Sequence, residues 1–303
     1  MKCLYFLFSF LIMPFAFSQE DSYVISELKI NDERPHFSLN YHKNKVYYIS
    51  YLLNKSGKIK TVSGNPSLTI FEAQIIDGEI VNEAPIVLDS ETNITNVSSV
   101  LLSPEGTNLY ITVTYNNKNK PKGEFNVENF HIEVGEFVTG KGWTNFKVLP
   151  FCDPRYSYGH PTFSKDGKTL YFIANIRGGS EAAKGASDIF KVDVLGNNIY
   201  GEPKNLGTKI NSFSKEMYPF ISDDNTLYFA SNRPNGFGGF DIYKSKMNID
   251  GNFDKAQKLP EPINSKQDDL SFVIDSKNGT GFFSSKRSGG KGEDDIYYFI
   301  STE

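Results

Sequence analysis

The stretch Ser231–Tyr243, SNRPNGFGGFDIY, decides how the whole chain is read. Three glycines and a proline crowd its middle. Glycine-rich runs cradle phosphates when a helix follows, because the free N–H groups at the helix start converge on the anion. Here FDIYKSK follows, and its aromatic and β-branched alternation predicts a strand. The stretch therefore reads as a turn between two strands.

The same turn recurs. It appears as KRSGGKGEDDIY at 286–297 and, longer, as NIRGGSEAAKGASDIF at 175–190. Each copy follows a matching lead: GHPTFSKDGKTLYF, MYPFISDDNTLYF and DLSFVIDSKNGTGFF. The shared unit is an apolar strand, a tight Asp/Gly/Asn turn, a second strand, the Gly-rich loop with an arginine, and a third strand opening on Asp-Ile-aromatic. Weaker copies begin with PHFSLNYHKNKVYYISY and SSVLLSPEGTNLYITVTYN. A fourth segment follows in four copies: DGEIVNEAPIVLD, GKGWTNFKVLP, GNNIYGEPKNLG and DGNFDKAQKLP. The residues leaving the first turn are Val46, Leu109, Leu170, Leu227 and Gly281, so successive units are 54 to 63 residues apart.

Tandem four-stranded units of this length predict a β-propeller. The fifth copy stops after its third strand, and SYVISELKINDERP near the start resembles the missing fourth. The expectation is an all-β, five-bladed β-propeller of four-stranded antiparallel blades, closed by the N-terminal strand. The blades run over about 31–93, 94–155, 156–212, 213–265 and 266–303, the last completed by 21–30.

The first residues, MKCLYFLFSFLIMPFAFSQE, have the layout of a secretory signal peptide over 1–18: Lys2, an apolar run too short to span a bilayer, then Ala16 and Ser18 before a cut at Gln19. This implies export to the periplasm or the medium and no membrane span. The net charge of −4 offers no basic patch for nucleic acid. Export would leave Cys152 as the one cysteine, read as a small buried hydrophobe. Sequons at Asn54, Asn93, Asn96 and Asn278 matter only in a eukaryotic secretory host.

PTFSKDGKTLYF, SNRPNGFGGFDIY and KINSFSKEMYPF resemble the WD-like repeats of TolB-type propellers, most of all the propeller modules of Bacteroidetes cell-envelope proteins. With the four strands of each unit called a to d in chain order, the resemblance implies strand a lining a channel, with the d–a and b–c loops sharing a ligand face. On that face it puts His160, Tyr218, Glu216 and Asp269 from the d–a side and Arg177, Arg233 and Arg287 from the b–c side. These seven are the candidate ligand-binding residues at the channel mouth. A feature repeated once per blade reads first as blade structure, each acid tying its loop through an arginine. Asp188, Asp241 and Asp295 read as turn-fixing residues.

No catalytic residue, metal set or cofactor motif stands out. There is no Gly-x-Ser-x-Gly elbow, no His-Glu-x-x-His and no calcium loop. The main expectation is a non-catalytic exported scaffold that binds an envelope protein or peptide, or a glycan. The alternative is a carbohydrate-active enzyme of the glycoside hydrolase type, using top-face carboxylates such as Asp153, Glu216 and Asp269.

Overall fold

TLYFAS, Thr226–Ser231, alternates because both of its faces are buried against different neighbours. In the computed structural model Leu227 and Phe229 pack toward one adjoining blade, with Tyr171 and Ile189. Tyr228 and Ala230 pack toward the other, with Phe272 and Phe283. Period-two side chains on a pleated strand lock such radial sheets together. Burying a phenylalanine such as Phe229, fully buried here, contributes about 1.5–3 kcal/mol.

The structure describes residues 22–62, 64–92, 94, 96–115, 121, 125–196 and 198–302. The expected signal peptide, the Asn93 sequon and much of the second b–c loop lie outside them. Five small antiparallel sheets form a five-bladed β-propeller. Blade 1 comprises strands a to d at Phe37–His42, Lys45–Tyr51, Leu68–Ile76 and Glu79–Pro85. Blade 2 comprises Ser99–Leu102, Asn108–Thr114, Phe130–Val138 and Gly142–Val148. Blade 3 comprises Tyr158–Phe163, Thr169–Ala174 and Asp188–Gly196, its strand d being split into Ile199–Tyr200 and Lys204–Asn205. Blade 4 comprises Glu216–Ile221, Thr226–Ser231, Asp241–Lys246 and Gln257–Lys258. Blade 5 takes Asp269–Asp275, Thr280–Ser285 and Asp295–Ser301 from the C-terminal end, and Tyr23–Glu27 pairs antiparallel on Asp295–Ser301 to close the ring.

The signature residues serve their own blades. The Asp241 carboxylate accepts the backbone N–H groups of Phe237 (3.0 Å) and Gly238 (3.5 Å), and a Cβ on Gly236 would stand 1.9 Å from its Oδ2. Asp295 accepts those of Lys291 and Gly292, and Asp188 those of Lys184 and Gly185. The Gly-rich loop is thus an anion nest filled by the aspartate that opens the next strand. Asn211, Asn264 and Asn31 each bond both the N–H and the carbonyl of the following isoleucine in that motif, Ile189, Ile242 and Ile296.

Strand a carries a register shift in four blades, and there one non-glycine residue takes a left-handed backbone: Ser38, His160, Tyr218 and Ser271, with φ of 48 to 57°. Single residues held there cost of order 1–3 kcal/mol, so their surroundings must fix them. Hydrogen bonds from blade to blade do so. Ser38 N–H donates to Ser271 Oγ (2.8 Å), Val100 N–H to Ser38 Oγ (3.3 Å), His160 N–H to Thr112 Oγ1 (3.0 Å) and Tyr218 N–H to His160 Nδ1 (3.2 Å). These residues plug the channel, whose middle keeps a void of about 20 Å³. An upper mouth, at the start of strands a and c, is thereby separated from a lower mouth at the a–b turns.

Candidate functional site

Glu216 and Asp269 open strand a in blades 4 and 5, opposite Ser231 and Ser285. Both are fully buried. Glu216 Oε1 accepts from Ser212 Oγ (2.6 Å), Ser231 Oγ (2.9 Å) and Arg233 Nη2 (3.1 Å). Asp269 Oδ1 accepts from Ser285 Oγ (2.6 Å) and Arg287 Nη2 (2.8 Å). Burial raises the Asp269 pKa although Ser285 and Arg287 oppose it. Each arginine also lies over the stacked aromatic pair of its blade, Arg233 over Phe229 and Tyr243 and Arg287 over Phe283 and Tyr297. Arg233 further donates to the Ile210 carbonyl, and Arg287 to those of Pro262 and Ile263. Four of the seven sequence candidates are therefore engaged within blade structure.

Blade 3 departs from this pattern. Tyr158 stands at the acid position, opposite Ala174. Arg177 donates instead to the carbonyls of Ala183 (3.1 Å) and Gly185 (2.9 Å). With Asp153, Arg155 and Tyr156 it lines a side cleft of about 850 Å³ that neither His160 nor Tyr218 reaches. Asp153 is held below its ordinary pKa, first by the Arg155 side chain, and the two form a 2.5 Å ion pair. Cys152 is buried and its thiol is pushed up to about 12, as a small hydrophobe requires.

His160 and Tyr218 are brought together. Their rings stack with centroids 3.9 Å apart and planes within 9°. Burial lowers the His160 pKa to about 3. Its Nδ1 accepts, so the neutral ring carries its proton on Nε2. Burial raises the Tyr218 phenol well above its ordinary range, and the charge of Asp294 adds to the shift.

Asp294 belongs to the same mouth, and the sequence reading passed over it. It precedes the motif aspartate of blade 5, where blades 3 and 4 carry Ser187 and Phe240. Its backbone carbonyl accepts the His36 N–H at 2.7 Å, the bridge from blade 5 to blade 1. The residue is 7% exposed, and its Oδ1 is buried with no hydrogen-bond partner among the described residues. Burial, with help from the charges of Asp268, Glu293 and Asp295, raises its pKa to about 6 against the pull of Lys286. Asp268 is less enclosed, with its side chain 32% exposed; it accepts from the Phe240 N–H and pairs with Lys286 at 3.7 Å. The doubled acid in EDDIY was the sequence signal, hidden beside the repeated Asp295. His36, at the acid position of blade 1, is fully buried with neither ring nitrogen hydrogen-bonded among the described residues, and burial lowers its pKa.

The upper mouth thus sets a protonatable carboxyl beside a second carboxylate, a lysine and a phenol. Two acids in unlike environments divide the roles of acid and base. Among the described residues no group of three or more His, Cys, Asp or Glu is placed to hold a metal ion, and no helix is long and apolar enough to cross a membrane.

No family model matches the chain, and no curated protein matches it in sequence. Solved structures do match. A β-xylosidase aligns over 92% of this chain and 94% of its own, with a TM-score of 0.53 and 14% identity. A thermostable family-43 glycoside hydrolase aligns over 92% and 96%, with a TM-score of 0.51 and 12% identity. A puromycin-hydrolyzing peptidase of Mycobacterium tuberculosis shares a lesser likeness, with a TM-score of 0.42 and 10% identity over 83% of this chain and 49% of its own. The expected kinship with TolB-type, WD-like repeats is corrected: the folds that match end to end are those of glycoside hydrolases. The quoted motifs misled because they encode the nest and the bonds that build blades 3 to 5. The non-catalytic scaffold reading, drawn from the repeated candidates and the lack of a catalytic motif, is corrected by the same two matches. At these identities the likeness shows the fold: a five-bladed β-propeller.

Proposed function

We propose that the chain is a carbohydrate-active enzyme of the glycoside hydrolase type, with its site at the upper channel mouth. Asp294 is the proton donor to the leaving sugar oxygen, and Asp268 is the partner carboxylate. The observation that carries this reading is the Asp294 carboxyl itself: nearly buried, with an uncommitted oxygen, and protonated up to about pH 6 among other acids. Hydrolysis of a glycosidic bond requires one carboxylic acid and one carboxylate across the sugar. Glu216 and Asp269 are poor bearers of that chemistry, since arginines and serines already occupy their oxygens. The end-to-end fold likeness to glycoside hydrolases supports the reading. Export, proposed from the N-terminal segment, would bring such an enzyme to extracellular or envelope glycans.

The test is an assay of the purified chain on aryl glycosides and plant and envelope oligosaccharides, with Asp294→Asn and Asp268→Asn alongside. Turnover that both substitutions abolish supports the proposal. Turnover unchanged in Asp294→Asn, or none on any glycan, overturns it.

A further inference from the structure

The lower mouth carries features that blade construction does not use. Between the a–b turns lies a cavity of about 770 Å³, within the range of small-molecule sites. Asn40, from strand a of blade 1, lines it. The residue is 8% exposed, and its Oδ1 is buried with no hydrogen-bond partner among the described residues. A buried carbonyl left without a donor costs about 1–3 kcal/mol, so the position calls for a hydroxyl or N–H from outside.

The rim supplies positive charge. Lys43, Lys165 and Lys277 stand on the a–b turns of blades 1, 3 and 5. The two acids beside them are engaged. Asp223 pairs with Lys165 at 3.7 Å. Asp275 accepts the N–H groups of Lys277 (3.0 Å) and Asn278 (3.2 Å) and the Asn278 side-chain amide (2.7 Å). Lys43 and Lys277 have no ion-pair partner among the described residues. The rings of Tyr41 and Phe163, both partly buried, form apolar wall.

A hydroxyl donor, an anionic group and an apolar ring face are together the chemistry of an acidic sugar. A bare anion satisfies the lysines but leaves Asn40 and the aromatic wall unused. We infer that the lower mouth binds a small uronic-acid-type sugar: Lys43 and Lys277 hold its carboxylate, one hydroxyl donates to Asn40 Oδ1, and a ring face lies on the aromatic wall. The channel plug separates this site from Asp294, so it stands whether or not the upper mouth hydrolyses glycans.

Titration calorimetry of the whole chain at low ionic strength, with glucuronate, glucose and inorganic phosphate as separate probes, tests the site. Glucuronate is expected to bind about tenfold tighter than glucose, the value of one charge-assisted hydrogen bond, and severalfold tighter than phosphate, the value of the neutral bond to Asn40. The surface substitutions Lys43→Gln and Lys277→Gln are each expected to weaken it severalfold and flatten its salt dependence. Asn40→Asp, which turns the acceptor into a like charge, is expected to abolish it, and Asp294→Asn to leave it unchanged. Glucuronate binding no tighter than phosphate, or unaffected by both lysine substitutions, overturns the inference.

Discussion

Tyr218 N–H donates to His160 Nδ1 at 3.2 Å while the two rings lie stacked 3.9 Å apart. One histidine thus joins blade 3 to blade 4 twice, by its acceptor nitrogen and by its face. The hydrogen bond needs the neutral ring, and burial holds the folded pKa near 3. The unfolded chain has an ordinary histidine that takes up a proton near pH 6.5. The stability from the neutral ring is therefore complete above pH 6.5 and is lost as pH falls toward 3, a drop of about 5 kcal/mol. His160→Gln keeps an acceptor without a titrating group. Urea unfolding of both proteins at pH 7 and pH 4 is expected to show a much smaller acid loss in the variant.

Asp294 gives the opposite slope. Its folded pKa, about 6, lies above the ordinary 3.8, so the stability it permits is complete below pH 3.8 and declines as pH rises through 6. Asp294→Asn removes that decline. It is expected to stabilise the protein by about 3 kcal/mol at pH 7 and by nothing near pH 3.5, while ending glycoside turnover. Thermal melts at the two pH values, set against the assay, measure both effects.

The acid–arginine pairs predict a contrast between blades. Arg287→Met strands the buried Asp269 carboxylate without its cation, and breaking such a pair costs about 3–5 kcal/mol. Arg177→Met removes only bonds to two carbonyls, worth about 1–2 kcal/mol. Denaturant midpoints are expected in that order, with turnover per folded molecule unchanged in Arg287→Met.

Glycines of the signature loops separate in the same way. A Cβ on Gly238 would meet the backbone carbon of Lys266 at 2.3 Å, a clash that no side-chain motion relieves. Gly179, at φ 79°, has open space around it. Gly238→Ala is expected to cost about 2–4 kcal/mol and Gly179→Ala about 1 kcal/mol, read from thermal unfolding.

The repeated half of this molecule was legible in the sequence. Asp241 and Asn264 recur because each bonds within its own blade, and Arg287 because it ties its blade's acid to the blade before it, so periodicity exposes them, along with the blade count and the closing strand. The mouth was much less legible. The Asp294 carboxyl is unusual because folding buries it, near Asp268, Lys286 and Tyr218, residues from 8 to 76 positions away in the chain. The left-handed Ser38, His160, Tyr218 and Ser271 are four positions with no shared residue type to mark them. The same periodicity led the family reading astray, since bonds that build a blade say little about descent.

The glycine-rich nest has a consequence for how this protein can change. Its loop, the Asp241 that fills it and the Asn264 that braces the next residue all belong to one blade. A blade exchanged, duplicated or drifting in sequence carries that nest with it, and asks of the next blade a backbone that fits against its loop, as Lys266 and Asp268 fit against Gly238 and Phe240. Selection for ligand can then act on the few unrepeated side chains at the two mouths, while the scaffold around them varies blade by blade as a set of interchangeable parts.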